Sequence, residues 1–387
     1  MHLSIEIIGD AFADIYCYLD ADMPKHGGDS RLREPIHTVA GGSGLNTATH
    51  LSSLLGQFWR NESADKPRTS TVSLQTVVNE NDEHGRLITS HCRLHQLALI
   101  NRRISSYPSC FFGTDDAAFH SQKGDKSTGH CAVIVSNGDR SFMTHLGCME
   151  DFRGSNILAN FLDRDKGNAN GAHQHAHIAG YYNIPGFWDG ELACKLAEMR
   201  VTQAKTRQGM TISLVPQQDA SNRWEGGLFD VLKYVDFLIL SEVEAQHITR
   251  YQCGGNKSDF FHHVADFSFF KDSQTYIIVT LQSEGAVAFY RGEIIHRQRT
   301  SPEVDHPIDP TGAGDAFAAG FLHGFLRQHA GCDEISTEAV KEGMCWACAA
   351  GTSSIMVRGA SVPSRKECIE RILNSISEEN QTKDKIN

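Results

Sequence analysis

An α/β fold, with a mostly parallel sheet covered by helices on both faces, is what this 387-residue chain predicts. Three observations carry the prediction. The middle of the chain repeats strand-like and helix-like patterns in alternation. Two strand-like runs, Asp236-Phe237-Leu238-Ile239-Leu240 and Tyr276-Ile277-Ile278-Val279-Thr280, are apolar at consecutive rather than alternate positions, as happens when both faces of a sheet are buried. Glycine-rich turns run into helix starts at residues 40–48 and 309–317.

Taken in order, Ile5 to Ile8 reads as a strand that ends in the turn Gly9-Asp10, followed by Ala11-Phe12-Ala13-Asp14-Ile15-Tyr16. Ala40-Gly41-Gly42-Ser43-Gly44 is a turn leading into a helix over Thr47 to Leu55. Thr128 to Val135 and Gly138 to Phe142 alternate apolar and polar residues on either side of Asn137-Gly138, the pattern of a hairpin. His177 to Tyr182 reads as a strand end, Glu191 to Gln203 as a helix and Thr211 to Val215 as the next strand. After the two apolar strands, Ala316 to Leu326 has few β-branched residues and spaces Phe317, Phe321 and Phe325 four apart, which gives a helix one apolar stripe. Ala347 to Ser354 is a further small-residue helical stretch.

The run Asp309-Pro310-Thr311-Gly312-Ala313-Gly314-Asp315-Ala316-Phe317 carries the most chemistry. It sets a glycine turn and one carboxylate against a helix N-terminus. There the backbone N–H groups lack intrahelical partners and the helix dipole is positive, so Gly312, Ala313 and Gly314 can direct donors at a transferring phosphoryl group. Asp315 in the first turn could take the proton of an attacking hydroxyl. The tetrapeptide Gly312 to Asp315 alone is equally compatible with a buried helix capped by Asp315, whereas the nine-residue string is more specific. No Lys-Ser or Lys-Thr follows the glycines, so this is not a Walker A loop.

This string resembles the C-terminal signature of the ribokinase-like, or PfkB-type, carbohydrate kinases, with Pro310 where the family usually has Thr. The order of the other segments agrees. Gly41-Gly42 followed by Asn46 resembles the family's N-terminal signature, Val77 to Arg86 its Val-Gly-x-Asp-x-x-Gly segment with Asn79 replacing Gly, and Gly138-Asp139-Arg140 its Gly-Glu-Arg turn. Ser241-Glu242-Val243-Glu244 resembles its Asn-x-x-Glu motif with Ser241 replacing Asn, and Thr280 to Gly285 its Thr-x-Gly-x-x-Gly segment with Gln282 as a departure. The resemblance covers residues 1–373 and implies a three-layer α/β/α fold with a mostly parallel central sheet and a small β-rich lid, formed by residues 11–40 and 130–149. Residues 374–387 would be a charged C-terminal tail.

What the resemblance implies about function is ATP-dependent phosphorylation of a sugar hydroxyl, as in a ribokinase or fructokinase, with Asp315 as base. Asp14, Gly41, Gly42, Asn46 and Glu150 would contact the sugar. Ser241, Glu244, Thr280, Gln282, Gly285 and Gly359 would lie at the nucleotide. Glu244 would organise Mg²⁺ through water, which suits an ion that keeps several waters, and Asp309 and Thr311 match positions that hold a monovalent cation such as K⁺ in many relatives. The lid mediates dimerisation in many relatives. Two alternatives stand beside this reading. One is a nucleoside kinase with Phe12, Tyr16 and Phe142 lining a slot for the base, and the other is a non-catalytic interaction protein.

A net charge of −11 without a Lys/Arg cluster argues against a nucleic-acid groove. Apolar runs too short to span a bilayer, and an N-terminus without a basic and hydrophobic leader, argue against a membrane partner. Eleven scattered cysteines, including Cys345 and Cys348, read as free thiols in a reducing cytoplasm. His173, His175 and His177 alternate as metal ligands on one strand face could, yet no carboxylate or thiol accompanies them, so they read as loop and strand entry. Polar stretches at Phe58 to Ser70, Gly113 to Ser127, Asp163 to Gln174 and Tyr251 to Ser273 read as surface insertions.

Overall fold

Alternate residues of a strand face opposite sides of its sheet, and in the central strands of this protein both sets are apolar. The computed structural model describes residues 2–59, 69–103, 126–136, 139–157, 173–206, 209–251, 256–301, 307–329, 332 and 334–384. Nine strands form the main sheet: β1 (His2–Gly9), β4 (Thr69–Thr76), β5 (Ala98–Asn101), β8 (His173–Ala179), β9 (Met210–Val215), β10 (Phe237–Ser241), β11 (Tyr276–Thr280), β12 (Ala286–Tyr290) and β13 (Glu293–Gln298). Their spatial order is β13-β12-β11-β10-β9-β8-β1-β4-β5. From β5 to β11 every pairing is parallel, while β12 and β13 pair antiparallel at one edge.

The two apolar sets build two cores. Ile5, Ile7, Phe237, Ile239 and Ile278 pack with α1 (Ser43–Leu54), α2 (Glu83–Leu94), α8 (Ala313–His329), α9 (Thr337–Ser354) and α10 (Lys366–Asp384). Ile8, Ile178, Ile212, Leu238, Leu240 and Val279 face the other way, against α3 (Glu191–Thr206), α4 (Leu228–Leu232), α5 (Glu242–Thr249), α6 (Lys257–Asp266) and α7 (Ser268–Asp272). This is the three-layer α/β/α arrangement. The predicted phenylalanine stripe lies inward on α8, where the rings of Phe321 and Phe325 stack at 5.9 Å and both meet Phe237.

A second, four-stranded sheet has the order β3-β2-β6-β7, from β2 (Phe12–Tyr18), β3 (His37–Gly41), β6 (His130–Ser136) and β7 (Asp139–His145). The hairpin β6–β7 pairs Ser136 with Asp139, and its turn at Asn137-Gly138 lies outside the described residues. On this sheet Tyr16 and Tyr18 stack with His37.

Four expectations need correction. Helix α1 starts at Ser43 rather than Thr47, because Gly42 takes the N-cap and Asp10, at the end of β1, accepts the Gly44 N–H at 2.9 Å on its side chain and the Leu45 N–H at 3.2 Å on its carbonyl. Helix α8 starts at Ala313, so Gly314 lies within its first turn. Tyr251 to Ser273 is more than a polar surface insertion: within it α6 and α7 bury Phe260, Phe261, Val264 and Phe270, and α6 starts with an Asn256–Asp259 capping box. The charged tail expected from residue 374 is not separate from the domain as far as Asp384: it continues α10, which buries Ile376 and pairs Ser375 with Ser301 at 3.0 Å. Most of the other three insertions, residues 60–68, 113–125 and 163–172, lies outside the described residues.

His175 and His177 are interior groups of β8, fully buried and hydrogen-bonded to Thr211 and Ser213 of β9 at 2.7–2.8 Å. Burial lowers His177 to about 3, which keeps it neutral. Among the described residues no group of His, Cys, Asp and Glu could hold a metal ion by itself, and no helix is long and apolar enough to cross a membrane. Cys345 and Cys348 are free thiols in α9.

Candidate active site

In an open parallel sheet, ligands gather beyond the carboxyl ends of the strands, where the connecting segments splay apart. Here that edge forms a cavity of about 740 Å³. Asp10 follows β1, Asn183 follows β8, Gln217 and Asp219 follow β9, Ser241 ends β10 and Glu244 follows it, and Thr280 ends β11; all of them line it. The N-terminus of α8 supplies Gly312, Ala313, Gly314 and Asp315, α1 supplies Ser43 and Asn46 beside its cap Gly42, and the small sheet covers one side with Phe12, Asp14, Cys131, Phe142 and Thr144.

Asp315 is the third residue of α8 and only 6 % exposed. Its carboxylate accepts Ser43 Oγ at 2.7 Å and Gln217 Nε2 at 3.3 Å on Oδ1, and Asn46 Nδ2 at 2.8 Å on Oδ2. Thus the first turns of α1 and α8 meet head to head through one carboxyl group. Burial raises the Asp315 carboxyl to about 7; the bonds from Asn46 and Ser43 act against that, and the charges of Asp10 and Glu244 add to it. A carboxylate poised near neutrality suits proton abstraction from a hydroxyl. Asn46 has one group left over, since its Oδ1 is buried without a partner. Such an atom is costly unless a ligand donor completes it.

The donors around the turn differ in availability. The Ala313 N–H leans back on the Pro310 carbonyl at 3.3 Å. Gly314 and Asp315, at the second and third helical positions, have N–H groups that no i−4 carbonyl within the helix can accept. Gly312 has φ +77°, and a Cβ there would sit 2.7 Å from the Ala360 carbonyl, so a left-handed turn and a close approach both require glycine.

Asp14 is brought into the same cavity. It is 9 % exposed, and burial together with the charges of Asp10 and Asp315 lifts its carboxyl to about 7. Gly41 does not line the cavity but makes room for Asp14: a Cβ there would lie 2.0 Å from Asp14 Oδ2. Asp10, fully buried, is held by the Gly44 N–H and by Asn183 Nδ2 at 2.7 Å, and burial raises it too.

Ser241 and Glu244 form a capping box at the start of α5: Ser241 Oγ accepts the Glu244 N–H at 3.2 Å, and Glu244 Oε2 accepts the Ser241 N–H at 2.7 Å. Glu244 is 9 % exposed and raised by burial. With Thr280 and Ser241 it offers oxygen atoms to one end of the cavity, a donor set that fits a hydrated Mg²⁺ needing few protein ligands.

Several predicted residues are not brought together here. Glu150 lies on a short helical turn after β7 with its side chain 53 % exposed, paired at 3.1 Å with Lys126. Gln282 and Gly285 form the turn between β11 and β12 and do not line the cavity. Gly359 and Asp309 lie behind the α8 turn, where the Gly359 N–H donates to Asp309 Oδ2 at 3.0 Å. Tyr16 is buried in the small sheet, while Phe12 and Phe142 reach the cavity. Conversely, Asp10, Ser43, Asn183, Gln217 and Asp219 escape a reading of the sequence. Only Asp10 carried a signal, as a lone acid at a strand end.

Comparison with known proteins agrees with this geometry. A family model described as pfkB family carbohydrate kinase matches residues 116–366. Among solved structures, ribokinase from Giardia lamblia is similar with a TM-score of 0.69 at 17 % identity, over 96 % of this chain and 98 % of that one. A double mutant of Vibrio cholerae fructokinase, described as bound to fructose, ADP and potassium ion, has a TM-score of 0.61 at 17 % identity, over 96 % and 98 %. Adenosine kinase from Sinorhizobium meliloti has a TM-score of 0.61 at 16 % identity, over 98 % of each chain. These three likenesses are of fold: a large mostly parallel sheet with a smaller sheet set against it.

Proposed function

The chain belongs to the pfkB family of carbohydrate kinases, and from that membership we propose that it transfers the γ-phosphoryl group of ATP to a sugar hydroxyl, with Asp315 as the general base. The observation that carries this reading is the Asp315 carboxyl: buried, lifted to about 7, clamped by Ser43 and Asn46, and placed in the first turn of α8 in a cavity of about 740 Å³. Asp315 accepts the hydroxyl proton as the oxygen attacks phosphorus. The N–H groups of Gly314 and Asp315, and the dipole of α8, face the charge that builds on the transferred group. Asp14 and the open Oδ1 of Asn46 accept hydrogen bonds from hydroxyls of the sugar.

ATP supplies the phosphoryl group, and Glu244 would hold a hydrated Mg²⁺, which would supply the positive charge that offsets the ATP phosphates. Ser241 and Thr280 lie beside that end. The small sheet acts as a lid, and Phe12 and Phe142 close the sugar side and exclude water that would compete as acceptor. Homodimerisation through this sheet is supported by Phe142 and Met143 of β7, with Met23 and Ile36 of the segment between β2 and β3, each more than half exposed.

A nucleoside acceptor is the second reading, favoured by the same Phe12 and Phe142, which offer an apolar and aromatic wall for a base. The test of both is ADP release with Mg²⁺ across ribose, fructose, 2-keto sugar acids, adenosine and other nucleosides. One acceptor with turnover at least tenfold above the rest supports the kinase reading and names its class. Nucleotide binding without turnover on any of them would move the interaction-protein reading ahead.

A further inference from the structure

The turn that precedes α8 is charged from an unexpected side. Asp309 Oδ1 accepts the Thr311 N–H at 2.9 Å and Thr311 Oγ at 2.6 Å, and Oδ2 accepts the Gly359 N–H. The remaining approach to Oδ1 is taken by Arg140 of β7, whose Nη1 lies 3.1 Å away and also donates to Thr311 Oγ. Both members of this pair are largely shielded, with side chains 16 % and 12 % exposed. Asp309 and Thr311 therefore do not fit a free monovalent cation. Their oxygens are already covered by donors, and one donor carries the positive charge itself.

Arg140 and Asp309 are 169 residues apart, and the first sits on the small sheet while the second opens the turn that ends in Asp315. A second tie joins the same two parts: Arg358, next to Gly359, pairs with Glu34 of the segment between β2 and β3 at 2.8 Å, and Ser361 Oγ donates to the Ala40 carbonyl at 2.8 Å. The segment that grips Asp309 from behind is thus held by the small sheet as well.

We propose that Arg140 is a positioning residue of the transfer site. The small sheet brings its own cation to Asp309 and Thr311 in place of a free monovalent ion, and so ties the geometry of the Gly312–Asp315 turn to the position of that sheet. A guanidinium is suited to this task because it never loses its charge and a single terminal nitrogen carries two N–H donors, as Nη1 does here toward Asp309 Oδ1 and Thr311 Oγ. The inference rests on the kinase reading for the purpose of the turn, but the exchange of cations does not depend on which substrate is used.

The experiment compares the wild-type protein, Arg140→Ala and Arg140→Gln by thermal melting in tetramethylammonium, K⁺ and millimolar guanidinium chlorides at equal ionic strength. Turnover of the acceptor found above is measured in the same buffers. The wild type is expected to show no specific response to K⁺ or guanidinium. Arg140→Ala is expected to melt several degrees lower, to lose about tenfold to a hundredfold in kcat through misplacement of the turn, and to regain part of both in K⁺ or guanidinium. Arg140→Gln, which is shorter and uncharged but keeps a polar N–H donor, serves if the alanine variant does not fold. Specific stabilisation of the wild type by K⁺, or variants that neither ion rescues, overturns the proposal. Absence of turnover on every acceptor would sink the kinase reading and leave the melting comparison to decide this one.

Discussion

Asn46 Nδ2 donates to Asp315 Oδ2 at 2.8 Å across 269 residues of sequence, joining the first turns of α1 and α8. The bond stabilises the ionised carboxylate against the burial that raises it. Asn46→Ala should therefore move the acid limb of the pH–rate profile upward from about 7. It should cost about tenfold in kcat at pH 7 and recover part of that at pH 9. Because the open Oδ1 goes too, KM for the sugar should rise while KM for ATP stays near that of the wild type. Steady-state kinetics at two pH values check this.

Asp14 gives a stability prediction whose sign is opposite to the usual carboxylate. Its folded-state pKa is raised to about 7 from 3.8 in the unfolded chain, so the folded protein binds the proton more tightly. Unfolding releases that proton between pH 4 and 7, and the contribution to stability is lost as pH rises through this window. Asp14→Asn removes the penalty. It should stabilise the protein by roughly 2–4 kcal/mol at pH 8, at about 1.4 kcal/mol per pKa unit, and by nothing at pH 4, while sugar turnover collapses. Melting curves at both pH values suffice.

Gly312 and Gly314 separate shape from chemistry. Gly312→Ala forces a side chain into φ +77° and against Ala360, and should cost about 1–3 kcal/mol of stability as well as activity. A Cβ at Gly314, which lines the cavity, meets nothing within 4 Å. Gly314→Ala should leave stability unchanged or raise it by about 0.5–1 kcal/mol through helix propensity, yet lower kcat because the methyl group stands where the phosphoryl group passes.

What could be read from the sequence was local. Asp315, Gly312 and Asn46 announce themselves because each site element there is one continuous turn running into its own helix, and the buried strands from Phe237 and Tyr276 are visible as unbroken apolar runs. Asp10, Asn183, Gln217 and Asp219 meet only because parallel strands place their carboxyl ends side by side, and strand order is not written in any single segment. Arg140 reaches Asp309 for the same reason. The start of α1 was misplaced because Ser43-Gly44 looks like a loop until Asp10 arrives to accept its N–H groups. Phe260 and Phe270 were hidden among polar residues whose helices are stabilised by packing.

Glu244 caps α5 and lines the cavity, and a conservative change divides its part in the cap from the magnesium role proposed for it. Glutamine also completes a capping box, so Glu244→Gln should change stability by less than about 1 kcal/mol. It should raise the Mg²⁺ concentration needed for half-maximal turnover several-fold, with the sugar KM unaltered. A magnesium titration at saturating ATP measures it, and equal magnesium requirements in the two proteins would remove Glu244 from the site.

The central claim is that Asp315 takes the proton, and the most direct measurement is kcat across pH 5–9 for the wild type and Asp315→Asn, with ATP and sugar binding measured in parallel. The wild type should lose activity about tenfold per pH unit below about 7, where burial holds the carboxyl. Asp315→Asn should bind both substrates and fall at least about a thousandfold in kcat, with no acid limb remaining. A variant that keeps the wild-type rate, or one that keeps the same acid limb at a lower rate, would contradict the assignment.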